Sequence, residues 1–342
     1  MLPRPLNHRS LIRLIATPLS RTPCLHYFRA MASAAHSNKP LRVGLMGLGA
    51  IGSTVAKSIL GGKLPNVQVA AVLTQTKKDP ANELGNAAQG TVGFFSEEEN
   101  SVDDFFAADW DLCVEAAGQP AVRKHALRVL ESPGANRRLL LTSIGALTDD
   151  ALYAKLQEAA AVQGVGPRLL LCSGSMPALD WLSAACFSLD EAEAAVITCS
   201  VTQMKPPKSW KGTPAENTHD LDAITEYTTL YEGTAREAAT LFPKNSNVAC
   251  TLALTTIGLD RTMVKLVTDP NAPPGKNMGA MVNFSSPSVG EISLEVKARM
   301  SPENPKTSAV VPLSVLKTLK NLSQPVAVGV RGRPTPWAAL VV

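Results

Sequence analysis

Residues 41–62 read LRVGLMGLGAIGSTVAKSILGG and decide the expected fold. The first six residues form a short apolar strand, and Gly47, Gly49 and Gly52 then follow with the spacing G-x-G-x-x-G. Apolar residues recur at helical spacing after these glycines until the Gly-Gly pair. A strand, a glycine turn and a helix in this order predict a Rossmann-type site, in which the diphosphate of a dinucleotide lies against the helix N-terminus.

Each position of this turn has an expected role. Gly47 permits the tight turn, Gly49 lets the backbone approach the diphosphate, and Gly52 lets the helix pack close to the strand. Ala50 and Ile51 lie between them at the first turn of the helix. We therefore expect all five residues to bind NAD or NADP.

The residues after the second predicted strand, Val67–Leu73, bear on the choice between the two cofactors. An acidic residue usually binds the ribose 2′-hydroxyl at this point. Here the sequence continues Thr-Gln-Thr-Lys-Lys, with no acid before Asp79. Hydroxyls together with Lys77 and Lys78 could accept a 2′-phosphate, which predicts that NADP is tolerated or preferred. The alternative is that both lysines belong to a solvated loop.

Strands and helices alternate along the first half of the chain, and the pattern changes after Ser173. The second half has strands and helices in a less regular order, typical of an α+β domain with an antiparallel or mixed sheet. The expected fold class is α/β, with a Rossmann-type doubly wound parallel sheet and a second α+β domain for substrate binding and dimerisation. The expected domains are 40–175, to which 304–328 returns, and 176–303.

The net charge of +4 comes from the beginning of the chain. Residues 1–39 hold six of the 33 Lys and Arg residues and none of the 29 acidic residues, so the remainder carries a net charge of −2. A nucleic-acid-binding surface is therefore not expected. An Arg-rich, acid-free segment with Ser and Thr is typical of a mitochondrial transit peptide. The alternatives are a disordered tail, or translation from Met31 and a cytoplasmic protein.

The composition excludes several other classes of protein. No run of about 18 apolar residues is present, so we expect no membrane-spanning helix. The six cysteines are scattered without a C-x-x-C pair, which argues against both a zinc site and a disulfide framework. We expect no metal site.

Three loops of the second half place Lys or Asn beside Pro, in KPPKSW (205–210), FPKNSN (242–247) and NPKTS (304–308). Stiff loops that display ammonium and amide groups could converge on a small dicarboxylate. Lys205, Lys306 and Asp180 are our candidates for the substrate pocket. The alternative is that these loops are ordinary proline-rich surface turns.

Several motifs, in this order, resemble the L-aspartate dehydrogenase family. They are SIGALTD (143–149), SGSMPALD (173–180), KPPKSW, EGTAREAATLFPKNSNVACTLAL (232–254) and NPKTS. The resemblance implies oxidation of L-aspartate to iminoaspartate with NAD or NADP, or reductive amination of oxaloacetate, and a link to NAD biosynthesis. It further implies that Ala146 and Asn247 bind the cofactor, and it favours a homodimer.

One position departs from the family pattern. The family's active-site histidine lies in an N-x-H-x-I segment, and the corresponding residues here are NMGAM (277–281), with Gly279 in place of histidine. The proton acceptor could instead be Lys205, Lys306, His219 or a water molecule. Alternatives to an active dehydrogenase are a catalytically impaired NAD(P)-binding homologue, or another two-domain reductase such as homoserine dehydrogenase.

Overall fold

The computed structural model describes residues 39–132, 137–161, 167–187, 189–271, 278–302, 304 and 307–325. The predicted targeting segment, except for Lys39, lies outside these residues. The described residues from Pro40 onward belong to one compact unit, which contains two β-sheets. Among the described helices, none combines the length and the apolar character needed to cross a membrane.

The first sheet is parallel throughout and has the strand order β3-β2-β1-β4-β5-β6 in the described part of the chain. Its strands are β1 (Leu41–Met46), β2 (Val67–Thr74), β3 (Gly93–Ser96), β4 (Leu112–Glu115), β5 (Arg138–Leu141) and β6 (Leu169–Leu171). This is the order of a dinucleotide-binding sheet, with the crevice at the carboxyl ends of its strands. The predicted Rossmann-type sheet is confirmed.

Helices join these strands and cover both faces of the sheet. They are α1 (Ala50–Leu60), α2 (Pro80–Leu84), α3 (Val102–Ala107), α4 (Gln119–Glu131) and α5 (Asp150–Ala160). The Asp149 side chain accepts a hydrogen bond from the Leu152 N–H at 3.0 Å and so caps α5. This cap makes Asp150 the first residue of the helix.

The second sheet is mixed and has the order β11-β10-β7-β9-β8 within the described residues. Its strands are β7 (Thr198–Lys205), β8 (Thr228–Thr234), β9 (Met263–Thr268), β10 (Met278–Ser286) and β11 (Gly290–Ala298). Among the described strands of this sheet, the β7–β9 pair alone is parallel. The expectation of an antiparallel or mixed sheet is confirmed, since the sheet is mixed, and β8 lies at one of its edges.

The remaining helices lie between and after these strands. They are α6 (Leu179–Ala185), α7 (Glu191–Val196), α8 (Ala235–Leu241), α9 (Asn247–Thr255) and α10 (Val310–Ser323). Helix α10 packs against α1 of the first sheet. Its buried residues Val315 and Leu319 join the same hydrophobic cluster as Val43 and Val55.

A second hydrophobic cluster connects the two sheets. It contains Leu139 and Leu141 of β5, Leu252 of α9, and Val201 and Phe284 of the second sheet. Because α9 contributes to this cluster, its N-terminal end is held near the carboxyl edge of the first sheet. That placement brings residues of the second half of the chain to the crevice.

Candidate active site

The glycine turn after β1 leaves no room for side chains at two positions. Gly47 has a φ of +93°, and a Cβ built on it would lie 2.6 Å from the Ala116 carbonyl oxygen. A Cβ on Gly52 would lie 2.1 Å from the Gly47 carbonyl oxygen. Because carbon and oxygen cannot approach so closely, both positions require glycine in this backbone conformation.

Gly49 differs from its neighbours because a Cβ there would meet no atom within 4 Å. The first turn of α1 contains no acidic residue, and no side chain caps its backbone N–H groups. These N–H groups and the positive end of the helix dipole can therefore bind an anion. Open space at Gly49 beside these donors fits the diphosphate of NAD(P).

The buried Glu115 joins the loops that follow β4 and β5. Its Oε1 accepts hydrogen bonds from the N–H groups of Ala117 and Gly118, both at 2.8 Å, and from the Ser143 hydroxyl at 2.9 Å. Its Oε2 accepts from the N–H groups of Thr142 at 3.2 Å and Ser143 at 2.9 Å. One carboxylate thus fixes two loops that form the crevice.

The electrostatics of Glu115 reflect two opposing effects. Burial raises the pKa of its carboxyl, and the hydrogen bonds donated by Ser143, Gly118 and Ala117 oppose that shift. Glu115 is not among the site residues predicted from the sequence. The available signal was a carboxylate at the end of the otherwise apolar strand LCVE (112–115).

The structure brings together the segments that hold Ala146 and Asn247, the residues predicted to bind the cofactor. Ala146 is fully buried in a 3₁₀ turn (Ile144–Thr148) that follows β5. Asn247 is the first residue of α9, and its Oδ1 accepts a hydrogen bond from the Gly145 N–H at 2.9 Å. Asn247 therefore connects the second half of the chain to the crevice of the first sheet.

The lysines that follow β2 both form ion pairs. Lys77 Nζ lies 2.6 Å from Glu99 Oε1, and Lys78 Nζ lies 2.9 Å from Glu83 Oε1. The hydrogen bond to Glu99 raises the pKa of Lys77. Both pairs are at least partly exposed to solvent, which screens them. A 2′-phosphate would therefore have to compete with these carboxylates for the two ammonium groups.

A cleft of about 160 Å³ lies between the crevice of the first sheet and the second sheet. Pockets that bind drug-sized molecules enclose about 300–1,000 Å³, so the size of this cleft suits a smaller ligand. Residues from both halves of the chain line it. They include Ile51, Thr142, Cys172, Ser173, Gln203, Lys205, Lys244, Asn245, Asn247, Thr251, Gly279, Ala280, Val296, Thr307 and Ser308.

The charged residues of this cleft are cations. Lys205 is 8% exposed, and its ammonium donates a hydrogen bond to Asn245 Oδ1. The ammonium also lies 5.5 Å from the centre of the buried Trp210 ring. Lys244 lines the same cleft, and no Asp or Glu is found among its described lining residues. An anionic ligand is therefore favoured.

The other predicted substrate residues have different positions. Lys306 lies outside the described residues. Asp180 is exposed in the first turn of α6 and lines a neighbouring cavity, not the cleft that holds Lys205. His219 accepts from or donates to the Thr218 hydroxyl at 2.8 Å and does not line the cleft either. Of the candidates within the described residues, Lys205 alone lines the cleft.

Gly279 lines the cleft through its backbone. It pairs with Met204 across β10 and β7, and a Cβ on Gly279 would lie 3.8 Å from the Met204 Cβ. Residues opposite each other in a sheet share a face, and successive residues alternate. A side chain at 279 would therefore point to the face opposite Gln203 and Lys205, whereas Ala280 shares their face.

Comparison with protein families agrees with this arrangement. Residues 189–322 match the family model described as aspartate dehydrogenase, C-terminal, and residues 47–167 match that of the homoserine dehydrogenase NAD binding domain. L-aspartate dehydrogenase 2 of Bordetella bronchiseptica is 38% identical over 279 residues, which are 82% of this chain and 96% of the relative. The chain belongs to the L-aspartate dehydrogenase family.

Other comparisons agree with membership of the L-aspartate dehydrogenase family. L-aspartate dehydrogenase of Ralstonia pickettii is 36% identical over 84% of this chain and 100% of the relative. The crystal structure of aspartate dehydrogenase from Thermotoga maritima matches with a TM-score of 0.59 and 22% identity, covering 84% of this chain and 99% of that one. The latter confirms the fold. The protein is an NAD(P)-dependent amino-acid dehydrogenase.

The glycine turn generates a paired prediction. Gly52→Ala should lower the free energy of unfolding by about 1–3 kcal/mol, because the new methyl group collides with the Gly47 carbonyl. Gly49→Ala should leave this free energy within about 0.5 kcal/mol of the wild type. It should still weaken cofactor binding about tenfold by occupying the space beside the helix N-terminus. Urea unfolding and fluorescence titration with NADH and NADPH measure these effects, and equal stability of the two variants would contradict the account.

Glu115 generates a second prediction. In Glu115→Gln, the new NH₂ group faces backbone N–H groups and leaves buried donors without an acceptor. We expect the free energy of unfolding to fall by about 1–3 kcal/mol, together with weaker cofactor binding. The control is Glu131→Gln at the exposed end of α4, which should change stability by less than about 0.5 kcal/mol. Urea unfolding measures both, and indistinguishable variants would show that Glu115 does not fix these loops.

Proposed function

We propose that the protein is an L-aspartate dehydrogenase that oxidises L-aspartate to iminoaspartate, and that in reverse it reductively aminates oxaloacetate. The observation that carries this proposal is the cleft between the cofactor crevice and the second sheet, whose charged described lining residues are Lys205 and Lys244. A cationic cleft fits a small dicarboxylate. The names of the relatives at 36–41% identity give the same substrate.

The residues of the chain supply binding and orientation for this reaction. The first turn of α1 holds the cofactor diphosphate, and the segments that contain Ala146 and Asn247 border the part of the crevice that adjoins the cleft. When bound, oxidised NAD(P) supplies the acceptor for the hydride that leaves Cα of the amino acid. Lys205 attracts a carboxylate of the substrate and fixes its direction relative to that acceptor.

The proton acceptor must be a group other than the Lys205 ammonium, because an ammonium that binds a carboxylate has no lone pair to accept a proton. Dehydrogenation requires the α-ammonium of aspartate to lose a proton before the imine forms. By the resemblance, Gly279 stands where the family has its active-site histidine, and the described lining of the cleft contains no histidine. Of the alternatives that the sequence offers, a water molecule in the cleft is our candidate for the proton acceptor, and Lys205, held by Asn245, binds the substrate.

The replacement of the histidine favours a second candidate function, that of an NAD(P)-binding homologue with reduced catalysis. Loss of a general base typically reduces a rate about 10²- to 10⁴-fold. The two candidates differ in the turnover number with aspartate and agree in cofactor binding.

We further propose a metabolic role and a location. Iminoaspartate is a precursor of quinolinate, so the enzyme would contribute to NAD biosynthesis. A coupled assay with quinolinate synthase should then yield quinolinate from aspartate. The Arg-rich segment 1–39 supports mitochondrial import, which imaging of a fusion of residues 1–39 to a fluorescent protein tests. A cytoplasmic signal would contradict import.

We also propose that the protein forms a homodimer. Phe187, Val310 and Leu313 are 80%, 42% and 55% exposed, and all line the cavity beside α6 and α10. Exposed apolar groups gathered in one region are typical of interaction surfaces. Sedimentation equilibrium should give twice the mass of the chain, and Phe187→Asp should reduce it to the mass of the monomer.

The proposed activity makes a direct kinetic prediction. Purified protein should reduce NAD⁺ or NADP⁺ with L-aspartate, and should oxidise NADH or NADPH with oxaloacetate and ammonia. Lys205→Met should lower kcat/KM for aspartate about 100-fold, because it removes the cation that binds a carboxylate of the substrate. Absorbance at 340 nm measures these rates.

The matched control is Lys211→Met. Lys211 lies in the neighbouring loop, and its ammonium pairs with Asp222 at 2.7 Å outside the cleft. This variant should retain wild-type kinetics. Equal effects of the two substitutions would contradict the role of Lys205, and cofactor binding without turnover by the wild type would favour the impaired homologue.

A further inference from the structure

The cleft contains buried polar groups that none of the described residues binds. Among the described residues, the Gln203 amide nitrogen and the Ser308 hydroxyl have neither a hydrogen-bond partner nor contact with solvent. The two residues are 4% and 6% exposed, and both line the cleft that contains Lys205. Buried polar groups in folded proteins are nearly always hydrogen-bonded, so two such groups at one cleft need an explanation.

The strand register explains why Gln203 finds no partner within the sheet. Its neighbours across the adjacent strands are Leu266 of β9 and Ala280 of β10, and Val296 of β11 follows next in the same row. None of these side chains can accept a hydrogen bond. The small side chain of Ala280 also leaves space above the sheet. Among the described residues, no side chain in this row of the sheet can satisfy the Gln203 amide nitrogen, and the row borders the cleft.

Lys205 lies on the same face of β7, two residues further along the strand. Gln203 and Lys205 are thus a neutral donor and a cationic donor at adjacent positions of one sheet face. Ser308 adds a hydroxyl from the segment that precedes α10. A dicarboxylate presents two anionic groups, each able to accept several hydrogen bonds.

We propose that Lys205 binds one carboxylate of the substrate, while the Gln203 carboxamide and the Ser308 hydroxyl donate hydrogen bonds to the other. This inference rests on the proposed function, because it assigns a site for each carboxylate of a dicarboxylic amino acid. It makes Gln203 a residue that determines specificity. Its amide nitrogen has no partner among the described residues of the protein and is therefore available to the substrate.

The test compares succinate with butyrate, which has the same four-carbon chain but lacks one carboxylate. Both ligands are unreactive, so their binding is measured without turnover, as a shift of the thermal unfolding midpoint in saturating NAD⁺ or NADP⁺. The wild type should be stabilised more by succinate than by butyrate. Gln203→Met retains the length of the side chain and removes its donors, and in this variant the shift with succinate should fall to that with butyrate.

Kinetics and intrinsic stability provide independent readouts. Gln203→Met should raise KM for aspartate about 10- to 100-fold, as expected when a hydrogen bond to a charged group is lost. The KM for the cofactor should stay unchanged. The ligand-free midpoint should stay constant or rise, because the substitution removes an unsatisfied buried group. Ser308→Ala should act in the same direction.

Thr202→Val is the matched control, since Thr202 precedes Gln203 on β7 and faces away from the cleft. It should leave both ligand shifts unchanged. The inference is overturned if the wild type responds equally to succinate and butyrate, or if Gln203→Met lowers the ligand-free midpoint while retaining the succinate shift. Selective binding of succinate by a wild type that cannot oxidise aspartate would instead contradict the proposed function and support the inference.

Discussion

The approach of α1 to the end of β1 is the constraint on which the site depends. It is possible only because Gly52 has no side chain where the helix passes the Gly47 carbonyl. This contact fixes the direction of the helix axis and brings its uncapped N-terminus to the carboxyl edge of the parallel sheet. The anion-binding N–H groups and the open space at Gly49 follow from that one placement.

The other half of the site is assembled by contacts between distant segments. Glu115 connects the loops after β4 and β5, Asn247 connects α9 to the second of these loops, and Gln119 of α4 donates a hydrogen bond to the Pro243 carbonyl at 2.8 Å. These contacts bring the FPKNSN segment to the crevice. The substrate cleft thus exists only when the first sheet and the second half of the chain are packed together.

Features that depend on local periodicity could be predicted from the sequence. The residues that line the cleft could not, because the register between strands determines which side chains face it. The span of β1, the glycine turn and the alternation of strands and helices were readable because a few neighbouring residues determine them. The residues of β7 and β10 that face the cleft could not be predicted from the sequence, because a shift of one residue in strand pairing moves every side chain to the other face of the sheet. For this reason the sequence did not identify Gln203 as a residue of the cleft. Asp180 was predicted to lie in the substrate pocket, but it lines a neighbouring cavity.

The central claim is that a cofactor at the glycine turn and an amino acid beside Lys205 meet for hydride transfer. Incubation with L-aspartate deuterated at Cα and either oxidised cofactor tests this claim most directly. We predict reduced cofactor one mass unit heavier than that formed from unlabelled aspartate, as determined by mass spectrometry. Failure to form reduced cofactor, or formation of reduced cofactor without deuterium, would contradict the account.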